Sequence, residues 1–244
     1  MFFDPSDLLQ VIDAPFSFVM DTMLLPVSIP FAVAMMVLWE NSKWEYASPA
    51  KKIRMAIDQG DSSRLERVLS GTSVNAWDEY GVTTLHYAAE AEKPNLNVVK
   101  MLIAQGAQIN VKDKNGRTPL YGAVVKSSLE IVKFLVQSGA DVNTKDASGY
   151  SPLTWAAASS RADYKIIGFL IQAGANVNFR GWRGRTPLHW AAENGNPEIV
   201  RLLLRKGADL KIMDDDKSTA LDLAVMTRDN DETVEVLMEA GAKE

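Results

Sequence analysis

Apolar and polar residues alternate along most of this chain with the period of a helix, and the stretch from Gly184 to Asp209 shows the rule most clearly. Ile199, Val200, Leu202, Leu203 and Leu204 fill most of a helical circumference, while Glu198, Arg201 and Arg205 line the remaining stripe. A helix so apolar needs neighbours on both sides. Upstream, Thr186-Pro187 predicts another helix start, because proline in the first turn gives up only an amide that lacks a partner there, and threonine caps it. Ala191 and Ala192 let a neighbouring backbone come close. Gly207 supplies a residue able to take positive φ after the second helix. The pattern therefore predicts a helix, a turn, a second helix and a loop. Similar polar stripes mark further second helices at Asn97 and Lys100, at Glu130, Lys133 and Gln137, at Lys165 and Gln172, and at Glu232, Glu235 and Glu239.

The unit recurs, and the recurrence sets the architecture. Gly81-Val82-Thr83-Thr84-Leu85-His86, Gly116-Arg117-Thr118-Pro119-Leu120-Tyr121, Gly149-Tyr150-Ser151-Pro152-Leu153-Thr154 and Gly184 to His189 are copies of one signature, 35, 33 and 35 residues apart. A worn copy, Lys217-Ser218-Thr219-Ala220-Leu221-Asp222, follows after 33 more. A closing signature keeps the same beat at Gly106-Ala107, Gly139-Ala140, Gly174-Ala175, Gly207-Ala208 and Gly241-Ala242. On these two signatures the chain resembles ankyrin repeats over residues 48–244. The resemblance implies an all-α solenoid of about six helix pairs with short loop or hairpin tips. Its repeats would be a degenerate capping repeat at 48–77, then 78–112, 113–145, 146–180, 181–213 and 214–244. In the capping repeat Lys51, Lys52 and Arg54 form a wet face, Ile53, Met55, Ala56 and Ile57 face the stack, and Arg64 to Leu69 make the second helix.

Residues 1–47 lie outside the repeat. Asp4, Asp7, Asp13 and Asp21 are the only charges before an uncharged run of 18 residues from Thr22 to Trp39, which Pro26 and Pro30 interrupt. An acidic start is unlike a secretory signal, which begins with basic residues. Two readings of the run stand. Residues 22–39 are about long enough to span a bilayer, and Lys43, Lys51, Lys52 and Arg54 after them would keep the repeats in the cytoplasm. Alternatively the segment is an apolar cap for the open end of the stack, which has no neighbour of its own. Ile12 to Pro26 also resembles small Gram-negative lipoproteins of the YceK type, in a D-x-P-F-S run followed by D-T-x-L-L-P. That resemblance implies a periplasmic location at a membrane, although the lipid-bearing cysteine of those proteins is missing here.

Composition narrows the chemistry. There is no cysteine, which excludes disulfides, thiolate metal sites and thiol nucleophiles. A net charge of −5 gives no general drive toward nucleic acid or an acidic membrane. Phosphate-cradling and nucleophile-elbow motifs are both missing. His86 and His189 occupy the same place in the helix-start signature and lack the companions of a catalytic base or a metal ligand; the family resemblance implies bonds between neighbouring repeats instead. Asp214-Asp215-Asp216 lacks the alternation and glycine of a calcium loop and reads as a solvated tip. The sequence therefore predicts no enzyme, no cofactor and no metal, but a protein that holds another protein.

The resemblance also implies where. Partners of such stacks use the tips and the first-helix faces beside them, which here include, among six positions in each repeat, Trp77, Tyr80 and Ala91, then Lys112, Lys114 and Arg117, then Lys145 and Tyr150, then Arg180, Trp182, Arg183 and Arg185, and lastly Met213, Asp215 and Asp216. One tip stands out. Phe179 to Arg185 carries a tryptophan and three arginines, residue types enriched among those that dominate binding energy. A second expectation for that tip has Trp182 folded back and Arg183 paired to Asp215 or Asp216. The role expected of the protein is occlusion of a secreted enzyme in the periplasm, in the manner of an immunity protein or inhibitor. The alternative is a membrane-anchored cytoplasmic scaffold.

Overall fold

Thr118-Pro119, Ser151-Pro152 and Thr186-Pro187 each begin a helix of seven residues, and the apolar run that follows each forms a helix of nine. A computed structural model describes residues 49–60, 62–159, 163–227 and 230–242. Among them, within the unit Ser48–Glu244, are twelve α-helices. They are α1 (Pro49–Gln59), α2 (Ser62–Leu69), α3 (Thr84–Glu90), α4 (Leu96–Ala104), α5 (Pro119–Val125), α6 (Leu129–Gln137), α7 (Pro152–Ala158), α8 (Tyr164–Gln172), α9 (Pro187–Glu193), α10 (Pro197–Arg205), α11 (Ala220–Met226) and α12 (Asp231–Glu239). The fold is all-α, with helix pairs stacked as repeats. The segment 1–47, its 22–39 run and its lipoprotein-like stretch lie outside the described residues. Among the described residues no helix is long and apolar enough to cross a membrane.

Two rows of helices build the stack. The first helices touch in order from α1 through α3, α5, α7 and α9 to α11, and the second helices from α4 through α6, α8 and α10 to α12. After α1 the first helices are short and rich in small residues, so Ala88, Ala89, Ala123, Ala156, Ala191 and Ala224 are buried and the row packs closely. Second helices bury a repeating triplet, Val98-Val99-Leu102, Ile131-Val132-Leu135, Ile166-Ile167-Leu170 and Ile199-Val200-Leu203. Each such side chain contributes roughly 1.5–3 kcal/mol when taken from water. In α1, Ile53, Ala56 and Ile57 are buried, as its pattern requires. Arg54 is exposed, as expected of an outer face, and its guanidinium also lies 5.5 Å from the ring centroid of Tyr87 in the next first helix.

Polar ladders fix the register between repeats. Asn75, Asn110, Asn143 and Asn178 each donate from Nδ2 to the carbonyl of the closing glycine one repeat on, Gly106, Gly139, Gly174 and Gly207. Their Oδ1 atoms accept from the backbone of Gln108, Asp141, Asn176 and Asp209. One amide side chain thus satisfies two backbone groups that neither helix can serve. His86 and His189 do similar work on the other side. Nδ1 of each sits 2.8 Å from the hydroxyl of Thr83 or Thr186, and Nε2 lies 2.9 Å from the carbonyl of Arg117 or 3.1 Å from that of Ser218. A carbonyl can only accept, so Nε2 carries the proton.

Candidate binding face

Three of the five tips, at 78–81, 113–116 and 146–149, begin with an aspartate and end with a glycine because the chain must reverse within four residues. In Asp78, Asp113, Asp146 and Asp214 one carboxylate oxygen accepts backbone N–H bonds from the residues two and four positions on, at 2.8–3.0 Å. This Asx arrangement supplies the turn with its missing acceptor. Three of the four junctions between successive tips are bound edge to edge, by Lys114 N–H to the Tyr80 carbonyl at 2.9 Å, Ala147 to Asn115 at 2.7 Å and Asp215 to Arg183 at 2.9 Å. The tips and the outer sides of the first helices form one continuous face.

The second carboxylate oxygen of each tip aspartate is also taken. Asp78 accepts from the Tyr87 hydroxyl, Asp113 from Arg117 Nε at 3.3 Å, Asp146 from Trp155 Nε1 at 2.8 Å and Asp214 from Arg185 Nε at 3.2 Å. Burial alone would raise the Asp214 carboxyl, but the backbone N–H groups of Ser218 and Asp216 and the Arg185 guanidinium outweigh it and hold the group below the usual carboxylate range. The same opposition at Asp78, with the Tyr87 hydroxyl as the largest stabilising partner, lowers that group too. Burial and the bond to Asp78 push the Tyr87 phenol up to about 12.

The fourth tip departs from this pattern. Gly181 stands where the other tips have aspartate, and a Cβ there would lie 2.6 Å from the Gly149 carbonyl oxygen. Trp190, nine residues on, occupies the place of Tyr87 and Trp155 but has no carboxylate to meet. Its buried indole N–H makes no hydrogen bond among the described residues. Arg183 takes a left-handed backbone with φ 54°. The result is an aromatic array: Trp155 and Trp190 flank Tyr150, each with ring centroids 5.4 Å away, and Trp182 stacks on Trp190 at 6.1 Å. Arg183 lies 4.5 Å over the Trp182 ring and Arg185 5.0 Å over that of Trp190.

Each residue expected on this face can now be placed. Trp77 is 71% exposed and Tyr80 62%, while Lys114, Arg180, Arg183, Asp215 and Asp216 are exposed. Arg117 is half-buried and paired to Asp113 of its own tip. Tyr150 is half-buried between two indoles, and Trp182 is 43% exposed. The arginines of the fourth tip are not a free cationic cluster. Arg180 lies 3.7 Å from Asp215, Arg183 lies 3.9 Å from Asp216, and Arg185 bridges Asp214 and Glu193 at 3.2 and 2.8 Å.

Two expectations are corrected outright. Arg185 is 8% exposed and belongs to the interior, since its fork is consumed by two carboxylates and its plane lies over an indole. Ala91 is also buried. Asp214 differs from its two exposed neighbours, being enclosed by the turn it nucleates. Trp155 and Trp190 went unnoticed in the sequence, although their position nine residues beyond the start of each tip is a signal that could have found them.

A family model described as ankyrin repeats matches in three overlapping copies, at residues 53–146, 91–181 and 153–244. The chain is 40% identical over 57 residues to an ankyrin repeat-containing protein of Schizosaccharomyces pombe, covering 23% of this chain and 27% of that one. It is 36% identical over 76 residues to a putative ankyrin repeat protein of Rickettsia bellii, covering 28% of this chain and 44% of the relative. The match thus spans less than half the length of either relative.

Proposed function

We propose a role on one premise, that the chain belongs to the ankyrin-repeat family: it is a module that holds a partner protein against its tips and first helices. Such repeats imply protein–protein interaction and are typically non-catalytic. The observation that carries the reading is the array Trp155–Tyr150–Trp190–Trp182. Its outermost member, Trp182, stacks on Trp190 while part of its surface stays in water. A large side chain ordered in advance loses little entropy on binding, which is what makes an anchor. Trp182→Ala with Arg183→Ala is expected to weaken binding to a partner recovered from native cells by at least ~2 kcal/mol in calorimetry. Unchanged affinity with an intact fold would move the interface elsewhere.

The finer form of this role is occlusion of a secreted enzyme in the periplasm, as by an immunity protein. Its support is the resemblance of residues 12–26 to periplasmic lipoproteins. A membrane-anchored cytoplasmic scaffold is the second reading, favoured by the uncharged run of 18 residues from Thr22 to Trp39. Carbonate extraction separates the two, since a protein released from membranes has no spanning segment. Cell fractionation then identifies the compartment.

A further inference from the structure

The residue just before the start of each tip is Trp77, Lys112, Lys145, Arg180 and Met213 in successive repeats, and all five are exposed. Two of the four steps are in direct contact: Lys112 Nζ donates to the Lys145 carbonyl at 3.0 Å, and Arg180 Nη1 donates to the Met213 carbonyl at 2.8 Å. The row therefore has three cations in its middle and a large apolar side chain at each end. Nothing acidic on the second and third tips answers these cations. Asp113 and Asp146 are buried, and both oxygens of each are occupied within the protein. Lys114, on the second tip, adds a further exposed cation, and neither it nor Lys145 has an ion-pair partner among the described residues. The fourth tip is different, because Asp215 and Asp216 already lie beside its arginines.

Building on the proposed partner-binding role, we propose that this row receives an extended, acidic segment of a protein, with carboxylates over Lys112 and Lys145 and apolar side chains against Trp77 and Met213. Neighbouring helices lie about 8–10 Å apart, so the four steps from Trp77 to Met213 cover roughly 32–40 Å. An extended chain advances about 3.3–3.6 Å per residue, so the segment has about 9–12 residues and meets a new row member at roughly every second or third one. A nucleic acid fits less well, because the exposed carboxylates of Glu79 at one end and of Asp215 and Asp216 at the other repel a backbone charged along its whole length.

The test is selection from a displayed library of random peptides, about 12 residues long to match the row, on the full chain. Selected peptides are expected to be enriched several-fold in Asp and Glu over the starting library. Their binding should fall at least about tenfold on Lys112→Glu with Lys145→Glu, and should weaken with added salt. Lys112→Gln with Lys145→Gln, expected to keep the wild-type denaturation midpoint, should show a smaller loss in the same direction. Peptides that are not acidic, or that bind the charge-reversed chain equally, overturn the proposal, as does failure to select any binder. If such peptides still depend on Trp182, the partner-binding role stands and only the acidic segment falls; if they ignore both sites, both fall. Tighter binding of a labelled oligothymidylate than of the acidic peptides would also overturn it.

Discussion

Arg185 Nε donates to Asp214 Oδ2 at 3.2 Å across the boundary between two repeats, with both side chains almost wholly shielded from water. A pair at this depth is expensive to break from one side, because Asp214 Oδ2 is left with neither water nor its cationic partner, and only the backbone N–H groups of Asp216 and Ser218 still serve the other oxygen. Arg185→Leu is therefore expected to destabilise the fold by about 3 kcal/mol or more, read as a lower urea midpoint. A loss below about 0.5 kcal/mol, the scale of a surface pair, would show that the ion pair is solvated in solution.

The two half-buried indoles make a matched comparison. Trp155 Nε1 donates to Asp146, whereas Trp190 Nε1 has no partner. Trp155→Phe leaves a buried carboxylate oxygen unpaired and should cost about 1–3 kcal/mol beyond the loss of packing that both substitutions share. Trp190→Phe should be the milder change. Equal losses in chemical denaturation would mean that the missing aspartate at Gly181 has no energetic consequence.

Gly116 and Gly106 both have positive φ, 72° and 87°, but only one of them is crowded. A Cβ on Gly116 would sit 2.8 Å from the backbone nitrogen of Ala147 in the next tip, while a Cβ on Gly106 meets nothing within 4 Å. Gly106→Ala should cost about 1–2 kcal/mol from backbone strain alone. Gly116→Ala should cost clearly more and should weaken the contact between the second and third tips, visible as faster amide exchange at Ala147.

Burial lowers the imidazoles of His86 and His189, even though the carbonyls of Arg117 and Ser218 pull the other way. In the unfolded chain both regain their ordinary affinity for protons, with pKa about 6.5. As pH falls below about 6.5 the unfolded state takes up protons that the folded state refuses, so stability is present above that value and declines beneath it. The urea midpoint should drop between about pH 7.5 and 5.5, and His86→Thr with His189→Thr, which copies Thr154 of the third repeat, should flatten the decline. A second decline below about pH 4 is expected from Asp78 and Asp214, whose carboxyls are held low in the fold.

The beat of Thr-Pro starts and Gly-Ala ends, with apolar triplets between them, was enough to determine helix pairs and their stacking. These signals are local: a proline, a cap or a left-handed glycine acts within one turn, and an apolar stripe shows in the spacing of its own helix. The exposure of Trp77, Tyr80 and Lys114 on the tips was legible for the same reason, since a tip position is defined by its own turn. The fate of the arginines was not. Arg185 is buried because Asp214 arrives from a tip 29 residues later, and Trp190 is left without an acceptor because Gly149 of the preceding tip leaves no room for a side chain at residue 181. Charge pairing and crowding between repeats depend on which side chains come to face each other across a boundary, and only the stacked tertiary structure brings those partners together.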